Sequence, residues 1–163
     1  MKNHRPWNRP LVIVALVVAM MAGSLTPSYA FLDKTRFLTH LGIAYFAFHH
    51  WVWNPYKEGK LNGGAEHRTS SIVKAGVASL FAYHEVKVSE KIAEKSKDPL
   101  LQKIAGGLSN LDSSFASVGA KLKSGHFDPK EIEGLNGVTT AVASAAAANG
   151  TRIKDVPVAL PGQ

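Results

Sequence analysis

Apolar residues recur with a helical period in four stretches of this chain, and each stretch is bounded by proline, glycine or polar breaks. That pattern predicts an all-α protein. The stretch around which the others are organised is FLTHLGIAYFAFHHWVW, Phe37 to Trp53. At 100° per residue Phe37, Leu41, Ala44, Phe48, Trp51 and Val52 share one stripe, while Ile43, Phe46 and Trp53 fall outside it. A helix apolar on nearly every side must be covered on nearly every side. Asp33 or Thr35 is expected to cap its start. Asn54-Pro55 is expected to end it, because proline donates no backbone hydrogen bond and forces its predecessor out of helical geometry.

Residues 54–68, NPYKEGKLNGGAEHR, form a loop long for a helix connection, and such loops are more often functional or mobile than average. A second helix is expected from Thr69, Ser70 or Ser71 to about Lys95, with Val73, Val77, Leu80, Phe81, His84, Val88 and Ile92 on its buried face. Its end, EVKVSEKIAEKSK, alternates in charge sign and should be a solvated surface. Asp98-Pro99 starts a third helix, which runs to about Ser124 with Leu100, Ile104, Leu108, Leu111, Phe115, Val118 and Leu122 on one face and Gly125 as its left-handed cap. Asp128-Pro129 repeats that start signal, and Glu131 stands at the capping-box position. The fourth helix uses Ile132, Leu135, Val138, Val142 and Ala145 and stops at Asn149-Gly150. Its alanine-rich end has high helix propensity but little bulk with which to grip a neighbour. Short connections after the first favour an up-down-up-down four-helix bundle over residues 31–150. The tail, residues 151–163, should be extended or disordered, or lie along a partner.

The beginning of the chain carries an address. Lys2, His4, Arg5 and Arg9 precede the apolar run Leu11 to Met21, and Ser28-Tyr29-Ala30 supplies small residues at −3 and −1 of a cleavage site. Residues 1–30 are therefore read as a signal peptide, and the protein as secreted or periplasmic. The run is shorter than the roughly 20 residues that span a bilayer. Losing residues 1–30 removes Lys2, Arg5 and Arg9 and lowers the formal charge from +7 to +4. The remaining charges form no one-sign block, so a nucleic-acid partner is not expected. Cysteine is absent, which excludes disulfides, thiolate metal sites and covalent c-type haem attachment. A core must hold the fold, and the remaining length can supply one.

Sequence motifs for chemistry are missing. There is no Glu-x-x-His pair of a di-metal bundle, no His-Glu-x-x-His, no nucleophile elbow, no P-loop and no dinucleotide fingerprint. No catalytic or metal-ligating set is assigned, and the protein is not expected to be an enzyme. His40 and His84 make the one suggestive pair. They stand thirteen residues before Trp53 and fifteen after Thr69. Antiparallel helices would place them within about 3 Å in height. Facing imidazoles in a bundle can hold a haem iron, so haem is the candidate cofactor; a satisfied core histidine and a pH sensor are the alternatives for His84. His49 and His50 are neighbours on a helix, point about 100° apart and cannot readily share an ion. His49, His50, Trp51, Trp53, Tyr56 and Lys57 concentrate amphipathic rings, as protein interfaces and membrane headgroup zones do, although such rings also plug bundle ends. The leading expectation is a non-enzymatic binding or structural protein acting through these six residues, on a protein partner or a second copy. A haem-binding bundle and a membrane-associated envelope component are the alternatives.

Overall fold

A computed structural model describes residues 28–161. Most of the expected signal segment lies outside the described residues, and Ser28 to Ala30 form the first turn of the first helix. The described residues are all-helical, with four helices and no strand. They are α1 (Ser28–Phe48), α2 (Arg68–Lys95), α3 (Pro99–Lys123) and α4 (Pro129–Ala148). α1 does not stop at Asn54-Pro55 as expected. It continues through a π-helical segment, His49–Trp53, into one further α-helical turn, Asn54–Lys57. The amide of Asn54 bonds the carbonyl of His49, five residues back. Pro55 can donate no such bond, so the ladder widens directly in front of the residue that interrupts it. Gly59, at φ 73°, then turns the chain away.

Phe37, Leu41, Ala44, Phe48 and Val52 are fully buried, as their spacing predicts, and Trp51 is half-buried. The loop after α1 is anchored by Leu61, which is also fully buried and whose carbonyl accepts from Arg68 Nε at 3.1 Å. His67, in left-handed geometry, leads into α2.

α2 corrects the expected stripe. Its buried residues are Ile72, Ala75, Gly76, Ala78, Ser79, Ala82, Glu85, Val86, Ser89 and Ala93. Val73 is 42% exposed, His84 is exposed, and Val77, Leu80, Phe81, Val88 and Ile92 are only half-buried. The reason is that α2 packs against both α1 and α3, so its buried arc is wide and consists of small residues that admit close approach. A Cβ added to Gly76 would lie 2.6 Å from the Lys123 backbone nitrogen, and one on Gly119 would lie 2.9 Å from Leu80 Cγ. Nor is the charged end of α2 merely solvated. Lys87 Nζ bonds Glu90 at 2.7 Å and the buried Asp112 of α3 at 2.6 Å.

The start signals of α3 and α4 act as expected, with Asp98 accepting from the Leu100 amide at 2.8 Å and Asp128 from the Lys130 amide at 2.9 Å. Glu131 departs from the capping box, because its carboxylate is taken by Lys121 of α3. Both helices end in the same six-residue closure, His126 to Lys121 with Gly125 to Leu122, and Thr151 to Ala146 with Gly150 to Ala147. Each uses a glycine at positive φ, Gly125 and Gly150. Val138 is half-buried and Ala145 exposed, so α4 buries Thr139 and Ala146 in their place.

Beyond Gly150 the tail has no regular secondary structure, yet it is packed. The Val156 amide donates to the Gly42 carbonyl at 3.0 Å, and Leu160 is 3% exposed. A Cβ on Gly42 would lie 2.4 Å from the Lys154 carbonyl oxygen. The tail is therefore one of the covers that an all-round apolar α1 requires, together with α2 and with α4, whose Thr139 carbonyl accepts from the Tyr45 hydroxyl at 2.6 Å.

Candidate functional site

α1 and its π-helical extension distribute their polar aromatic side chains in four directions. Toward α2, Nδ1 of His40 donates to Glu85 Oε2 at 2.6 Å, and Glu85 is only 8% exposed. Glu85 follows His84 in sequence, and successive helical residues point about 100° apart. The expected meeting of His40 with His84 is thus replaced by His40 with Glu85, while His84 sits on the exposed side of α2. His40 meets α2 at the level of His84, but α2 is rotated so that its small residues rather than its bulky ones face inward.

Toward the ends of the other helices, an inner chain of rings closes the fold. Phe48 meets Phe115 with centroids 5.8 Å apart and stacks on Trp53 at 6.2 Å; Trp53 meets Tyr56 at 5.5 Å, and Tyr56 meets Phe127 at 6.2 Å. The Tyr56 hydroxyl donates to Glu133 Oε1 at 2.6 Å, an interaction that raises its pKa because the carboxylate accepts from the neutral phenol. Lys57 Nζ lies 5.9 Å from the centre of a Trp53 ring. Trp53, Tyr56 and Lys57 are thus engaged within the molecule.

Facing outward, Phe46, His50 and Trp51 form a second and separate cluster. Phe46 stacks on His50 at 5.2 Å with planes 12° apart, and Trp51 stands edge-on to both, at 5.2 Å from Phe46 and 4.8 Å from His50. His50 is exposed, and its two neighbours are half-buried.

His49 turns the other way, toward Tyr45, at 5.9 Å between rings, and toward the tail. Its Nδ1 donates to Asp155 Oδ2 at 2.8 Å. α1 with its π-turn, α4 and the tail flank an open surface cleft of about 490 Å³ whose walls include Tyr45, His49, Thr140, Ser144, Arg152 and Asp155. That volume lies within the range of small-molecule sites. No family model, curated protein or solved structure matches the chain.

Among the described residues no group of three His, Cys, Asp or Glu side chains is placed to hold a metal ion, and no helix is long and apolar enough to cross a membrane. Glu85 and Asp155 gave no signal in the sequence. The first stands one residue from the histidine that the period favoured. The second lies 106 residues from His49, in a tail without periodicity. The available cue was Gly42, the single glycine of α1.

Proposed function

We propose that this chain is a non-enzymatic binding protein, exported to the periplasm or beyond the cell, that holds a protein partner on the outward rings at the end of α1. Its export rests on the basic, apolar and small-residue pattern of residues 1–30. The short connections after the first one support an up-down-up-down order of the helices. The observation that carries the binding proposal is the Phe46, His50 and Trp51 cluster. These three rings are ordered by contact with one another and remain accessible at the surface. Rings of this kind give a large contact area at low entropic cost and are enriched at interface centres. Of the six residues singled out in the sequence, His50 and Trp51 remain in that role. His49, Trp53, Tyr56 and Lys57 support the turn that presents them.

The test is affinity capture from the envelope fraction of the source cells, with wild type, His50→Ala and Trp51→Ala as baits and light scattering to detect self-association. A partner or dimer retained by wild type and weakened by about tenfold or more in both variants is the expected result for surface anchors of this type. Equal retention by all three baits would refute the proposal.

A further inference from the structure

We infer that the cleft between the π-turn, α4 and the tail is a binding site for a small molecule bearing an oxyanion, carboxylate or phosphate. It is a different surface from the outward rings and does not depend on them. Arg152 stands in the cleft wall and pairs with no carboxylate among the described residues, so its guanidinium is open to a ligand there. A guanidinium is a planar fork that matches a carboxylate or phosphate with two parallel hydrogen bonds. α4 presents Thr140 and Ser144 to the same cleft, one helical turn apart. Thr139 returns its hydroxyl to the Leu135 carbonyl at 2.8 Å, but the Thr140 and Ser144 hydroxyls have no partner among the described residues and can donate to a ligand.

The one acidic group in the wall, Asp155, already accepts a hydrogen bond from His49 Nδ1. His49 Nε2 is left over. It accepts from a ligand hydroxyl when the ring is neutral and donates to an oxyanion when the ring is an imidazolium. Ala143, Ala147, Ile153 and the Tyr45 ring supply apolar wall, which suits a ligand with a short hydrocarbon body beside its charged group.

The experiment is a heteronuclear NMR titration of the purified protein with inorganic phosphate, acetate and benzoate, with chloride at matched ionic strength as the control. The signals followed are the His49 ring and the Arg152 side chain. Two variants at exposed positions separate the outcomes: Arg152→Gln removes the fork, and Ser144→Leu fills the cleft from α4 without altering a charge. Saturable shifts at both groups with at least one oxyanion, weakened by about tenfold or more in each variant, are expected. Shifts matched by chloride would overturn the inference. So would binding that Arg152→Gln abolishes and Ser144→Leu leaves intact, because the anion would then sit on an exposed guanidinium outside the cleft. Thermal melts of both variants establish that they are folded.

Discussion

Tyr45 is 3% exposed, and its hydroxyl donates to the Thr139 carbonyl. Burial raises its pKa well above the ordinary tyrosine value, because the phenolate would lose its hydration. In the unfolded chain a tyrosine ionises near pH 10, at about its model value. The folded protein keeps the proton bound beyond that point. Tyr45 therefore contributes stability that is complete below about pH 10 and is lost as the pH rises further. Tyr45→Phe should cost about 1 kcal/mol at neutral pH, through the lost hydrogen bond, and should flatten the fall in stability above pH 10. Urea melts across the alkaline range measure both effects. At Gly42 an alanine methyl would meet the Lys154 carbonyl oxygen at 2.4 Å and Val156 Cγ2 at 2.7 Å. Gly42→Ala should lift the tail from α1, making the bonds after Arg152 and Lys154 sensitive to trypsin while the helices stay folded. Wild-type resistance at those sites in the variant would show that the tail accommodates the methyl.

Helix α2 lies close to α3 because glycine stands on each side of their contact. A Cβ on Gly76 would meet only backbone atoms, of Leu122 and Lys123, the nearest at 2.6 Å, whereas one on Gly119 would meet the side chain of Leu80 at 2.9 Å and its backbone nitrogen at 3.1 Å. Alanine gains about 1 kcal/mol over glycine in a helix interior, and overpacking costs about 1–3 kcal/mol. Gly76→Ala should therefore be clearly destabilising and Gly119→Ala less so, in a comparison of denaturation midpoints; the reverse order would mean that the helices separate easily at Gly76. The same contact explains which faces were legible. The face of α3 was read nearly correctly, because bulky residues such as Ile104, Leu108, Leu111, Phe115 and Leu122 carry it. The face of α2 was not, because a helix packed on two sides buries alanine, glycine and serine in close contacts and turns its larger residues toward the rim.

Across the whole molecule, the tail acts as a structural cover. Truncation after Gly150 removes Leu160 from its buried position, exposes the Gly42 face and frees His49 from Asp155. Burial of one leucine alone is worth about 2 kcal/mol. The truncated protein should melt at a lower temperature and exchange the α1 amides faster with deuterated solvent. Unchanged exchange would mean that α1 is covered without the tail.

By itself the sequence determined the number of helices, the aspartate and proline starts, the glycine closures and the core of α1 and α3. These are local properties, written in proline and glycine geometry and in the spacing of large apolar side chains. Tertiary packing alone decided the rotation of α2, the transfer of Glu131 to Lys121, the pairing of His40 with Glu85 and the seating of Asp155 on His49. Each depends on how near one backbone comes to another. Small residues set that distance without leaving a periodic mark, and a tail ordered only by its contacts leaves none.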